Sequence, residues 1–196
     1  MTPLVLFAGC LVPSNGVVVN VQPPVHVYPE GQCGVAAADA ILSYWNVPID
    51  HERLVRDLYI PALRGTPFDL FAWFASENGL RASVEKGDLS LLESNLRSGV
   101  PPVCFLGSPV TGERGHFVVV TGLTRDRRLV RVLSEGQSRW QSASKFTNQW
   151  ARGEFVVVLL RPLGIHAEKT RQRSPEEAAR YGNERFPLTA RTNPGT

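Results

Sequence analysis

The chain has 196 residues, 43% hydrophobic and 20% charged, an ordinary balance for one folded domain with its own core. Its formal charge of +3 resides at the end: residues 161–196 hold seven Lys/Arg against four Asp/Glu, while residues 1–160 hold fourteen of each. The folded part is thus not expected to present the clustered basic face that nucleic acid requires, and no run of eighteen apolar residues exists to span a membrane.

At the N-terminus, Leu4-Val5-Leu6-Phe7-Ala8-Gly9-Cys10 is similar to the end of a bacterial lipoprotein signal, without its charged opening. It implies a lipid anchor at Cys10 and an exported, periplasmic or membrane-anchored protein. Residues 1–24 are expected to form this leader and an extended segment. Within it, Gly16 to Val21 reads as a short strand, interrupted by Pro23-Pro24.

Residues 33–45 read as a helix. Ala37, Ile41, Leu42 and Trp45 share one face, and alanines supply propensity. Asp50 caps a second helix through Leu58, which Pro61 stops. Thr66 as N-cap and Pro67 at the first position predict a third helix that ends at Gly79. Its rings, Phe68, Phe71, Trp73 and Phe74, read as core, with a cleft contribution from one of them as the alternative. Arg81 to Glu85 is a short strand and Asp88 to Ser98 an amphipathic helix. Apolar β-branched runs then predict strands at Val103–Leu106, His116–Leu123, Leu129–Leu133 and Phe155–Leu160, with one helix from Ser144 to Ala151. Helices first and an antiparallel sheet second is an α+β layout. Residues 162–196 turn polar and basic and predict a loose tail, in which Ser174-Pro175-Glu176-Glu177 could cap a short helix to Tyr181.

Two stretches carry chemistry. Glu30-Gly31-Gln32-Cys33-Gly34 puts a cysteine at a helix start, where unpaired N–H groups and a partial positive charge favour the nucleophilic thiolate. Gly115-His116-Phe117-Val118-Val119-Val120 puts a histidine at the head of an apolar strand, able to face that helix end across a cleft. A neighbouring imidazolium would depress the thiol further. Cys33 is then the nucleophile and His116 the proton shuttle. The Gln32 side chain and the Cys33 N–H would hold the oxyanion, and Gly34 would leave room for substrate backbone. Of the other cysteines, Cys104 reads as an apolar filler of a buried strand. A Cys33–Cys104 disulfide is possible on paper, but would destroy the nucleophile. His26, His51 and His166 sit in weaker contexts: a Pro-rich approach, a surface helix turn and the tail.

Residues 25–161, through Gln32-Cys33-Gly34 and Gly115-His116-Phe117-Val118-Val119-Val120, resemble the bacteriocin-processing cysteine peptidases, peptidase family 39. Leu58-Tyr59-Ile60-Pro61, Arg64-Gly65-Thr66 and Phe146 to Gly153 are similar to a stand-alone exported or lipoprotein subgroup of Gram-negative bacteria. The resemblance implies a papain-like α+β domain that hydrolyses peptide bonds through an acyl-enzyme, with no cofactor, a peptide or protein substrate, and a monomeric state. It also exposes a departure. The family's Asp near the end of the next strand, which orients the imidazole, is missing from Arg131-Val132-Leu133-Ser134-Glu135-Gly136. Leu133 or Ser134 occupies the place, and the Ser134 hydroxyl or a backbone carbonyl can accept the imidazole N–H in its stead; Asp126 reads as a solvated turn residue. Two rival readings keep the fold: a peptide-binding module that has lost its chemistry, and an acyltransferase in which an amine replaces water.

Overall fold

The computed structural model describes residues 16–163 except 25, 49 and 109–114. The leader-like run to Cys10, His166 and the Ser174–Tyr181 helix fall outside the described residues. In chain order the elements are β1 (Gly16–Val18), α1 (Cys33–Tyr44), α2 (His51–Leu58), α3 (Phe68–Glu77), β2 (Leu80–Lys86), α4 (Leu89–Arg97), β3 (Val103–Leu106), β4 (His116–Thr124), β5 (Leu129–Ser134), β6 (Gln137–Ser142), α5 (Ala143–Arg152) and β7 (Val156–Pro162). The strands form one antiparallel sheet in the order β2-β7-β3-β4-β5-β6. β1 follows β3 end to end along the same edge of β4: Val103 pairs with Val119, and Val18 with Gly122.

α1 is apolar nearly all round, the mark of a helix buried within a domain. Val35, Ala38, Ala40, Ile41 and Leu42 are at most 1% exposed. Its small residues let it lie close against β4, the longest strand, whose residues after His116 are all buried. α3 delivers Phe71 and Phe74 to the core, and α5 delivers Phe146 and Trp150. Each such ring stabilises the fold by about 1.5–3 kcal/mol. Trp150 also satisfies its indole N–H on the Val156 carbonyl, at 2.9 Å. Caps fix three helix starts: Asp50 on the Arg53 amide, Asp88 on Leu91 and Ser142 on Lys145.

Four local expectations are corrected. The first strand stops at Val18; Val19 and Val21 are buried but only Val19 still bonds across, to Thr121. α3 begins one residue late, with Pro67 in the N-cap position and no side-chain cap, because the Thr66 side chain turns inward against Gly34. The last strand starts at Val156, since Phe155 sits in the left-handed region at φ 59°. β6 was not expected at all: Gln-Ser-Arg-Trp-Gln-Ser is polar because it is the exposed edge of the sheet. A two-residue turn, Glu135-Gly136 with φ of 51° and 72°, folds it back on β5.

Candidate active site

Cys33 is the first residue of α1, and His116 opens β4. The chain enters α1 through a tight turn in which Gln32 N–H bonds the Pro29 carbonyl and Gly31 adopts φ 88°. A Cβ on Gly31 would stand 2.8 Å from the Arg64 carbonyl oxygen, so only glycine lets the two loops meet there. The Phe117 amide, one residue after the histidine, donates to Cys33 Sγ at 3.4 Å. Helix head and strand head thus meet over the sulfur. Among the described residues Sγ takes its hydrogen bond from this amide and not from the imidazole.

Nε2 of His116 lies 2.7 Å from Ser134 Oγ, at the end of β5. This leaves Nδ1 as the ring nitrogen for the thiol. The Ser134 hydroxyl is thus the side-chain group that holds the ring, and no carboxylate bonds it among the described residues.

Two clefts open on Cys33 and His116. One, of about 540 Å³, is walled by the segment around Tyr28, the small side of α1 (Ala36, Ala37, Ala40) and the β5–β6 turn with Ser134 and Glu135. The other, of about 830 Å³, is walled by Arg64 to Pro67, Phe105 and Gly115. Glu30, Gly31, Cys33, His116 and Phe117 border both. The second cleft rests on rings, with Phe68, Phe105 and Phe117 packed edge to face or tilted at 5.0–5.6 Å. Phe71 and Phe74 are core as expected, whereas Trp73 faces outward at 47% exposure.

The electrostatics differ from expectation. Burial pushes the Cys33 thiol above its ordinary 9.0, against the pull of the Phe117, Gly34 and Cys33 amides. The helix end acts in the expected direction, but desolvation outweighs it. Burial likewise pushes His116 below 6.5, partly opposed by the charge of Glu135. Both causes favour a neutral thiol and a neutral imidazole.

Gln32 borders neither cleft, and its half-buried side chain makes no hydrogen bond among the described residues. Gly34 does not open space for substrate. Its missing Cβ makes way for Thr66, whose Oγ1 and Cβ would stand at 2.5 and 2.6 Å. The Thr66 hydroxyl is buried there without a partner among the described residues. Cys104 is a fully buried free thiol in β3, the filler expected. Asp126 caps its own turn through Thr124 Oγ1 at 2.7 Å, away from the site. His26 and His51 stack at 3.8 Å beside Asp39 and Tyr28, on the outer side of the first cleft. No group of three His, Cys, Asp or Glu suited to a metal occurs among the described residues. Sequence reasoning missed Glu135, which borders the first cleft next to Ser134; the Glu-Gly turn between two strands was its available signal.

A buried helix opening on a cysteine, packed against an antiparallel sheet that brings the histidine, is the papain-like peptidase fold. The chain belongs to the peptidase C39 family, whose model matches residues 23–161. Solved structures of similar fold include the peptidase domain of Streptococcus ComA, a bi-functional ABC transporter involved in a quorum-sensing pathway. It has a TM-score of 0.60 and 16% identity over 73% of this chain and 99% of that one. A double-glycine-motif protease from an AMS/PCAT transporter, in complex with a leader peptide, gives 0.57 and 16% over 75% and 98%. The peptidase-C39-like domain of a toxin-secretion ATP-binding protein from Vibrio parahaemolyticus gives 0.52 and 16% over 70% and 99%. No curated protein matches the chain.

Proposed function

We propose that the protein is a cysteine peptidase acting through an acyl-enzyme. The observation that carries this reading is the joint position of Cys33 and His116 at the meeting of two clefts, with the imidazole held from behind by Ser134. Sγ attacks the scissile carbonyl carbon as its proton passes to Nδ1 of His116. The S–C bond forms and the carbonyl π pair moves to oxygen. The imidazolium then gives its proton to the leaving nitrogen as the C–N bond breaks. Water, activated by the same imidazole, releases the acyl group; an amine in its place would make the reaction an acyl transfer. The Cys33 N–H and the Gln32 amide are the assigned oxyanion donors, the latter requiring its side chain to swing toward the cleft. Family membership and a fold shared with a leader-peptide complex support a peptide as substrate. The apolar run before Cys10 supports an exported, lipid-anchored form, which the mass of the mature N-terminus tests.

One observation favours the rival binding module: neither a sulfur–imidazole hydrogen bond nor a carboxylate on the ring is present among the described residues. Incubation with a diverse peptide library, read by mass spectrometry, separates the two. The peptidase reading expects cuts that vanish in Cys33→Ala. Peptides retained by the wild-type protein and recovered whole would establish the binding module instead.

A further inference from the structure

We propose that Glu135 is a positioning residue for His116, a carboxylate on the wall of the same cleft that serves the imidazole in place of the expected triad acid. This rests on the peptidase reading above. That reaction places a full positive charge on the imidazole between attack and departure of the amine. Ser134 fixes the ring at 2.7 Å, but a neutral hydroxyl stabilises that charge weakly. The next residue supplies what the hydroxyl lacks. Glu135 borders the same cleft as Cys33 and His116, and it makes no hydrogen bond or ion pair among the described residues.

Its place in the fold supports this. The turn after β5 sets Glu135 directly after Ser134, on the wall of the cleft that Cys33 and His116 border. Its charge there raises the proton affinity of His116 and, as the smallest influence, that of Cys33.

The other titratable groups facing His116 do not replace it. Cys33 on α1 is the proton donor itself. Glu30 borders both clefts, but its carboxylate pairs with Arg64 at 3.8 Å. His26 and Tyr28 are turned to Asp39. β3 brings only Leu106 opposite His116.

The test uses the full chain and two readouts. Ring NMR follows the titration of His116, and mass spectrometry follows acylation of Cys33 by p-nitrophenyl acetate. In Glu135→Gln the His116 midpoint moves to lower pH and acylation at neutral pH falls about two- to fivefold, the scale of an exposed charge pair. Glu135→Asp restores both, and Glu154→Gln, a distant surface carboxylate, changes neither. An unmoved midpoint with Cys33 still acylated overturns the role of Glu135 and leaves the peptidase reading standing. A Cys33 that never acylates in the wild-type chain overturns the peptidase reading, while a midpoint that shifts in the same samples upholds the Glu135–His116 pairing.

Discussion

Ser134 Oγ and His116 Nε2 stand 2.7 Å apart, joining the end of one strand to the start of its neighbour. The hydroxyl holds the ring where the sequence resemblance leads one to expect an acid. Ser134→Ala frees the ring from behind. A net hydrogen bond of about 0.5–1.5 kcal/mol is then lost, so Cys33 acylation slows by up to about tenfold. Ser134→Asp returns an acid, raises the proton affinity of His116 and accelerates acylation. Unchanged rates in both variants would show that the ring needs no support from this side.

The pH response follows from burial. With His116 below 6.5 and Cys33 above 9.0, alkylation of Cys33 by iodoacetamide climbs with pH and has its midpoint on the alkaline side of an ordinary thiol. A reactive plateau that persists to pH 5 would instead require a pre-formed thiolate–imidazolium pair. Stability carries the same signature. As pH falls, the unfolded chain takes up the histidine proton first, so stability declines below 6.5. As pH rises, the unfolded chain sheds the thiol proton first, so stability also declines above 9.0. Thermal unfolding of His116→Gln and Cys33→Ala checks each limb: each variant lessens the slope on its own side, with buried Cys104 still contributing to the alkaline one.

Gly34 and Thr66 form a close pair under the nucleophile. Gly34→Ala drives a methyl into the Thr66 side chain at 2.5–2.6 Å and costs about 1–3 kcal/mol. Thr66→Val keeps the shape but removes a buried hydroxyl without a partner, and stabilises by about 1 kcal/mol. Denaturant midpoints decide both. A stabilising Gly34→Ala would mean that the helix start can shift.

Tyr28 ties a cleft wall to α1. Its hydroxyl donates to Asp39 Oδ2 at 2.8 Å, and Asp39 is only 6% exposed. Burial first, then this hydrogen bond, raise the phenol well above its ordinary value. Tyr28→Phe takes that donor from a buried carboxylate and costs about 1–3 kcal/mol. Faster amide exchange across residues 26–31 would accompany it; unaltered exchange would show that His26, 3.6 Å from Asp39, suffices to hold the wall.

How far the sequence discloses this architecture depends on whether a residue's role is local. The central helix is legible because alanines and buried aliphatics repeat over twelve positions, and β4 because its apolar run has few interruptions. β6 escapes because an exposed edge strand needs no apolar face, so its polar residues look like loop. Thr66 resembles a helix cap in sequence and becomes packing in space, since only the fold sets Gly34 beneath it. Cys33 and His116 are singled out by motif, and Ser134 only by the gap the motif leaves. The protonation of the first two is not, because burial is a property of the whole assembly.

Three residues near the start, Gly16–Val18, are stitched to the middle of the sheet, while Cys33 begins the helix beneath it. The fourteen-residue span between them, 19–32, is accordingly a strap buckled at both ends, and its inner surface is one side of the first cleft. Cutting after Val18 undoes one, and the looseness would be felt at the sulfur before it was felt in the core.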